Sequence, residues 1–207
     1  MVQTQSSTRS SLVEAARLLF WERGYEATSL QDIAQKAGAK AGSLYYFFRT
    51  KEQLLLAVLD RYVEMLWPVV IEPAFAHTRD PIDRIFAILE GYRQGLVLTG
   101  FAGGCPIGNL ALEVSDYIPG AREKIAKNFD GWRSWIRKCL DDAAGRLPAG
   151  LDRERLAMFV LAVMEGAVMQ ARADRSLGPF DASVEQLRDY INRLLAEATP
   201  QRGPKIQ

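Results

Sequence analysis

Histidine, cysteine and the common catalytic motifs are scarce in this chain. Its 207 residues include one histidine, His77, and two cysteines, Cys105 and Cys139, which do not form a CxxC pair. These residues are too few for a usual zinc site, and no GxxxxGK[ST], HExxH or GxSxG motif is present. We therefore predict a protein with no cofactor, no metal site and no enzymatic activity.

Long hydrophobic runs are also missing, although 48% of the residues are hydrophobic. No segment reaches the roughly 18 uninterrupted apolar residues that a membrane span needs, and the N-terminus lacks the pattern of a signal peptide. The 26 basic and 25 acidic residues leave a net charge of +1. We expect a cytoplasmic protein, with no membrane partner, whose apolar residues suffice for one or two helical domains.

Apolar residues recur at helical spacing along almost the whole chain, and no segment shows the alternation of a strand. This pattern predicts an all-α fold of about nine helices. A first helix ends just before Gly24, and Ser11 with Glu14 matches a capping box at its start.

Prolines and turn residues divide the rest of the chain. A helix that begins at Lys51 continues until Pro68 and Pro73 bend or end it, and Asp80-Pro81 starts a helix over about 81–98. Further helices are predicted from about 106, 119, 152 and 183. The predicted organisation is a helix-turn-helix DNA-binding domain over 8–52, a ligand-binding and dimerisation domain over 53–198, and a flexible tail over 199–207.

The stretch Thr28–Lys51, TSLQDIAQKAGAKAGSLYYFFRTK, is typical of two short helices joined by a turn. Thr28 is positioned to cap the first helix, Gly38 ends it, and Thr50 caps the helix that follows the pair. In the second short helix, Leu44, Phe47 and Phe48 are predicted to face inward while Ser43, Tyr45 and Tyr46 face away. This arrangement predicts a helix-turn-helix.

Positive charge is concentrated in the same stretch. Between Lys36 and Lys51 the chain has four basic residues and no acidic one, although the whole chain is almost neutral. A phosphate-facing surface needs such local charge, and small residues at the start of the second helix allow close approach to base edges. The predicted DNA-binding residues are Thr28, Lys40, Ala41, Gly42, Ser43, Tyr45, Tyr46 and Lys51.

Residues 9–62 resemble the DNA-binding domain of the tetracycline-repressor-like (TetR/AcrR) family of bacterial regulators. The resemblance rests on RGYEATSL, DIAQKAG, GSLYYFF and KEQLL, which occur in this order. Lys40 stands where the family most often has serine, and Phe47 where it often has histidine; both positions bear on base preference. The resemblance implies a homodimeric regulator, most often a repressor, that binds a palindromic double-stranded DNA operator and is released by a small-molecule effector.

The second domain has to supply a ligand site and a dimer interface if this implication holds. Helical domains bind small molecules in mostly apolar cavities with a few polar groups, although most apolar side chains here simply fill a core. The last two helices, about 153–175 and 183–198, have apolar surfaces that predict dimerisation as a four-helix bundle, with Ala167 and Leu194 as test positions. The candidate ligand-binding residues are Tyr92, Phe101, Cys105, Asn109, Trp132, Glu165 and Met169.

Two alternatives remain open at this stage. In the first, the second domain serves only for dimerisation, and the protein is a DNA-binding dimer without an effector. In the second, Cys105 senses electrophiles or oxidants, because GCPIGNLALEVSD resembles a region in which some members of the family use a cysteine in this way. A helix N-terminus favours a thiolate, but the scarcity of basic residues near Cys105 favours a small apolar side chain that lines a pocket or closes a turn.

Overall fold

A computed structural model describes residues 2–198, with side chains from Ser7 onward. These residues contain no β-strand, which confirms the all-α prediction. A π-helical segment, Leu66–Ile71, joins α4 to α5 without a break, so ten α-helices make the nine helical rods expected. The predicted tail, 199–207, lies outside the described residues.

The helices are α1 Val2–Arg23, α2 Leu30–Lys36, α3 Ala41–Phe47, α4 Lys51–Met65, α5 Glu72–His77, α6 Pro81–Leu98, α7 Pro106–Val114, α8 Pro119–Asp142, α9 Arg153–Asp174 and α10 Gly178–Ala198.

Two predicted helix starts are wrong. α1 begins at Val2, and Ser11 lies inside it, where its hydroxyl donates to the Ser7 carbonyl at 3.0 Å. Serine is tolerated there because its hydroxyl bonds back to the preceding turn. α2 is capped by Ser29 and not by Thr28: the Ser29 hydroxyl accepts from the Asp32 N–H at 3.1 Å, and the Asp32 carboxylate accepts from the Ser29 N–H at 3.1 Å.

Pro68 does not end the fourth helix. The chain passes through it as the π-helical segment and continues as α5 from Glu72. Proline removes a backbone donor and crowds the preceding turn, and a π-helical turn accommodates both effects by widening the helix. The predicted end of the helix at Pro68 or Pro73 is therefore wrong, and a bend there stays a prediction. α10 also starts earlier than expected, at Gly178, with Pro179 in its first turn.

The chain divides into two compact units. The first runs to Val69 and includes Thr99–Gly131, so α7 and the first half of α8 pack with α1–α4. Its core is a continuous cluster of aliphatic and aromatic side chains, including Leu12, Leu19, Phe20, Ile33, Leu44, Leu54, Leu55, Val58, Leu59, Leu110, Val114 and Ile125. The sequence predicts a boundary between two functional domains near residue 52. A division into compact units does not test where one function ends and the other begins, so this boundary stays a prediction.

The second unit consists of Val70–Leu98 and the chain from Trp132 onward. α9 packs against α10 and α6. Arg93 on α6 donates to both carboxylate oxygens of Asp181 on α10, at 2.7 and 3.1 Å, and the Arg188 guanidinium lies 3.7 Å from the centre of the Phe86 ring. These contacts fix α10 on α6.

α9 is the one helix among residues 2–198 whose length and composition are sufficient to cross a membrane. Eight of its residues are buried against the rest of the second unit. This is the pattern of a core helix. The remaining apolar residues of α9 lie on its opposite, exposed face.

Candidate nucleic-acid interface

α3 has one buried and one exposed face. Leu44 and Phe48 are 1% and 3% exposed and anchor the helix in the core of the first unit, as predicted. Tyr45 and Tyr46 are 56% and 71% exposed. Together with the exposed Ala41 and Gly42, they form a stripe at helical spacing, which we call the α3 stripe.

The turn before α3 is built as the sequence indicates. Gly38 has a φ of +63°, the left-handed conformation that ends a helix most easily when no Cβ is present. The Ala39 N–H closes this turn on the Ala34 carbonyl at 2.9 Å. Lys40 then lies at the N-cap of α3 with its side chain exposed. α2 and α3 are thus two short helices fixed around a glycine turn.

Basic residues border the α3 stripe. Lys40 and Arg49 are exposed at its two ends, and Lys36 is exposed at the end of α2, where its Nζ lies 3.7 Å from a carboxylate oxygen of Glu22. No acidic residue lies between Lys36 and Lys51. Arg49 was absent from the predicted contact residues; it is exposed in the turn just after α3. The surface therefore combines positive charge, tyrosine hydroxyls and small side chains.

Two of the predicted DNA-binding residues have partners within the protein. Thr28 is 1% exposed, and its hydroxyl donates to the Gly24 carbonyl at 2.8 Å, so its side chain does not reach the surface in this structure. The Lys51 ammonium donates to the carbonyls of Tyr25 at 2.9 Å and Thr28 at 3.2 Å, and it lies 4.1 Å from the centre of the Tyr25 ring. Direct contact of either residue with DNA stays a prediction, as it does for the half-buried Ser43.

Burial raises the pKa of Tyr25 to about 12, and the nearby carboxylates of Glu26 and Glu52 add to this effect. Tyr25 is therefore a neutral core residue that carries the Lys51 contact. The turn that it belongs to connects α1 to α2 and so fixes where α2 and α3 lie.

Glu113 on α7 also holds this turn, and sequence reasoning missed it. Its carboxylate accepts from the backbone N–H of Tyr25 at 2.8 Å and of Glu26 at 2.7 Å. The residues are separated by 88 and 87 positions in the chain. A carboxylate that binds backbone groups across such a distance leaves no spacing pattern in the sequence.

The candidate ligand-binding residues lie in both units. In the first unit, Cys105 is the N-cap of α7 and is 7% exposed, Phe101 has a φ of +63°, and Asn109 donates to the Gly103 carbonyl at 3.0 Å. In the second, the rings of Tyr92 and Trp132 meet edge to face with centroids 6.5 Å apart.

The two α9 candidates differ in exposure. Glu165 is half-buried, whereas Met169 is 59% exposed and lies on the outer face of α9. An exposed position fits a surface contact better than an enclosed ligand site. The assignment of Met169 to a ligand site is untested and stays a prediction.

Both cysteines are buried, and neither forms a disulfide within the described part of the chain. The Cys105 sulfur accepts a weak hydrogen bond from the Gly108 N–H at 3.5 Å, the geometry of a capping side chain. Burial raises the pKa of the Cys139 thiol to about 11, which makes Cys139 unreactive at neutral pH. Among the described residues, no three His, Cys, Asp or Glu side chains are grouped so that they could hold a metal ion.

A glycine turn between two short helices, an exposed second helix and local basic charge define a helix-turn-helix DNA-binding protein. A model of the bacterial regulatory proteins of the tetR family matches residues 12–58, and one of the tetracyclin repressor-like C-terminal domain matches residues 81–187. The chain belongs to the TetR family, and it is a DNA-binding transcriptional regulator.

Individual relatives support this placement over almost the whole chain. An uncharacterized HTH-type transcriptional regulator of Mycobacterium tuberculosis is 34% identical over 201 residues, which cover 94% of this chain and 97% of that protein. The HTH-type transcriptional repressor DhaR of Mycobacterium sp. strain GP1 is 28% identical, with 86% of this chain and 88% of that protein covered. A solved TetR transcriptional regulator from Chloroflexus aurantiacus has a TM-score of 0.79 and 31% identity, with 92% and 97% covered.

Proposed function

We propose that this regulator is a homodimeric repressor that binds a pseudo-palindromic operator with two α3 stripes and leaves it when a small molecule binds the helical region after α4. The observation that carries the proposal is an apolar face on α9 and α10 that one subunit leaves exposed. The relative DhaR is named a repressor, which favours repression over activation.

Part of the exposed surface of α9 and α10 is apolar. Met158, Phe159 and Met169 on α9 are 43%, 49% and 59% exposed, and Tyr190 on α10 is 43% exposed. The rings of Phe159 and Tyr190 contact edge to face with centroids 5.9 Å apart. Large aromatic and methionine side chains of this kind are enriched in interface centres, and a contiguous exposed patch marks an interaction site. A second copy of the same face covers it in an isologous dimer.

Burial refines the choice of interface residues. Ala167 is 1% exposed and Leu194 is 8% exposed, so an arginine at either position would disrupt the subunit before it tested the dimer. Phe159 is the suitable position, because it is 49% exposed and its ring contacts Tyr190 of α10. The predicted use of α9 and α10 is kept, and the test positions are corrected.

The dimer is tested by sedimentation of Phe159→Arg. We expect wild type to sediment as a dimer and Phe159→Arg as a folded monomer with wild-type helix content, because a buried unpaired charge opposes association. The matched control is Leu112→Arg on α7, where the leucine is 83% exposed and the same change should leave the dimer intact. A Phe159→Arg protein that remains a stable dimer contradicts the proposed interface.

The effector half of the proposal is supported by one buried donor. Trp132 is 4% exposed, and within the described part of the chain its indole N–H has no hydrogen-bond acceptor. Buried polar groups are nearly always paired, so an unpaired donor fits a place where a ligand acceptor binds. Tyr92 lies against it and adds an aromatic wall.

A thermal-shift screen of small apolar compounds that carry a carbonyl or ether oxygen tests the effector. A compound at about 100 times its dissociation constant adds roughly 2.7 kcal/mol of stability. By linkage, a true effector must also weaken operator binding, and Trp132→Phe should reduce both effects. If compounds that stabilise the protein leave operator affinity unchanged, they are not effectors, and the effector-free dimer becomes the better reading.

A further inference from the structure

The turn between α1 and α2, residues 24–29, determines where the helix-turn-helix lies. α1 ends at Arg23, Gly24 adopts a φ of +87°, and Ser29 caps α2. The left-handed residue after a helix turns successive backbone N–H groups toward one side, which makes an anion-binding concavity. Here those N–H groups belong to Tyr25 and Glu26.

The anion in this concavity is the side chain of Glu113. One carboxylate oxygen accepts from the Tyr25 N–H at 2.8 Å and the other from the Glu26 N–H at 2.7 Å. A Cβ at position 24 would lie 3.0 Å from a Glu113 carboxylate oxygen, so glycine provides both the backbone conformation and the space. Charge-assisted bonds to two adjacent donors are short and directional, and they fix the turn on α7.

Two further contacts join the same parts of the first unit. The Tyr117 hydroxyl donates to the Glu26 carboxylate at 2.5 Å, and the Trp21 indole N–H donates to the Gly104 carbonyl at 3.0 Å. A Cβ on Gly103 would lie 2.1 Å from the Trp21 ring, so the loop before α7 packs directly on α1. The hydrogen bond to Glu26, together with burial, raises the pKa of Tyr117 to about 12, so this donor remains protonated at neutral pH.

Lys51 binds the carbonyl groups of the same turn. Its ammonium donates to the carbonyls of Tyr25 and Thr28, while the Glu113 carboxylate accepts from the N–H groups of Tyr25 and Glu26. Lys51 belongs to α4, next to the helix-turn-helix, and lies within residues 12–58. Glu113 lies on α7, outside those residues. The orientation of α2 and α3 thus depends on a helix that is remote in sequence.

We propose that Glu113 is a positioning residue for DNA binding: by accepting from the N–H groups of the α1–α2 turn, it holds this turn on α7 and so keeps α2 and α3 at the orientation that the operator requires. It does not contact DNA. The inference rests on the DNA-binding activity alone and is independent of the proposed effector and of the dimer interface.

The loss of a negative charge and the loss of the correct α3 orientation have opposite effects on DNA binding. Removing an acidic side chain strengthens DNA binding in general, because the protein becomes more positive. A changed orientation of α3, in contrast, weakens binding to the operator sequence and not to other DNA. Glu113→Gln retains one acceptor oxygen but places an amide NH2 against a backbone N–H, so one hydrogen bond is replaced by two opposed donors. Glu123→Gln, at an exposed position on α8, is the control for the charge.

Binding is measured on two duplexes of equal length: one selected from a random pool by the wild-type protein, and one of scrambled sequence. We expect Glu113→Gln to weaken binding to the selected duplex about tenfold, a typical size for coupling between sites. Binding to the scrambled duplex should be unchanged or slightly stronger, and Glu123→Gln should show no loss on either. Equal affinity of Glu113→Gln and wild type for the selected duplex overturns the proposal, as does an equal loss on both duplexes with a lower melting temperature.

A second variant decides the matter if Glu113→Gln does not fold. Glu113→Asp keeps the carboxylate but shortens the side chain by one methylene, so it should retain wild-type helix content and lose selectivity between the duplexes.

A third variant, Glu113→Ala, tests rescue by a free carboxylate. Potassium acetate should partly restore its selectivity when compared with potassium chloride at equal ionic strength, since acetate can enter the vacated concavity. A Glu113→Asp protein with wild-type selectivity, or a Glu113→Ala protein that acetate does not affect, overturns the proposal.

Discussion

Replacement of Lys51 by methionine tests how the α1–α2 turn is held. The Lys51 Nζ donates to the Tyr25 and Thr28 carbonyls at 2.9 and 3.2 Å, and methionine keeps most of the apolar stem while removing the charge. A hydrogen bond to a charged group contributes about 1.5–3 kcal/mol, and the loss leaves two part-buried carbonyls without that donor. Because 22% of the Lys51 side chain is exposed, we expect the smaller loss of about 1–2 kcal/mol in the free energy of unfolding.

The assay is urea denaturation followed by circular dichroism at one fixed protein concentration, since the stability of a dimer depends on concentration. Lys127→Met is the control: Lys127 is exposed on α8, and its loss should change stability by less than about 0.5 kcal/mol. An unfolding free energy of Lys51→Met equal to that of wild type would refute the role of Lys51 in the turn.

The same variant distinguishes this role from the phosphate contact predicted from the sequence. The ammonium has three hydrogens, and the carbonyls of Tyr25, Glu26 and Thr28 all lie within 3.5 Å of Nζ. If these donors stay occupied when the protein binds DNA, the slope of log affinity against log salt should be the same for Lys51→Met and wild type. A slope lower by about 0.9 in Lys51→Met would show that the residue neutralises one phosphate.

Three further predictions follow from individual contacts. Tyr46→Phe should weaken binding to all duplexes by several-fold without lowering the melting temperature, because Tyr46 is 71% exposed, so that its hydroxyl can reach phosphate and does not support the core. Gly103→Ala should lower the free energy of unfolding by about 1–3 kcal/mol through its clash with Trp21, whereas Gly91→Ala, with no atom within 4 Å of the new Cβ, should raise it by about 0.5–1 kcal/mol. N-ethylmaleimide should leave operator binding of wild type unchanged for as long as Cys105 remains buried; a loss that Cys105→Ser abolishes would establish the thiol-sensing alternative.

The parts of the fold that depend on local chemistry were predictable from the sequence. The turn at Gly38, the N-cap at Thr50 and the inward positions of Leu44 and Phe48 all follow from interactions within a few residues. The cap of α2 was misplaced by one residue, because Thr28 and Ser29 are both good capping residues; in the fold, the Thr28 hydroxyl donates to the Gly24 carbonyl and Ser29 caps the helix.

The contacts that orient the helix-turn-helix were not predictable. Glu113 binds backbone groups 88 and 87 positions away, and any carboxylate can accept from any N–H, so neither residue type nor spacing marks the pair. Lys51 was predicted to face phosphate for a similar reason: its charge is visible in the sequence, but the carbonyls that occupy it are visible only in the fold. Exposure along α9 likewise depends on which of its apolar residues α6 and α10 cover.

The most direct test of the central claim is the composition and symmetry of the DNA complex. Duplexes selected from a random pool should contain an inverted repeat, with half-site centres about 10–10.5 base pairs apart or a multiple of this spacing. Sedimentation of the complex should give an even number of chains per duplex, and Tyr45→Ala with Tyr46→Ala should abolish selection of the repeat. An asymmetric site bound by a single chain, or an inverted repeat that the double variant still selects, would contradict a dimer that reads DNA through α3.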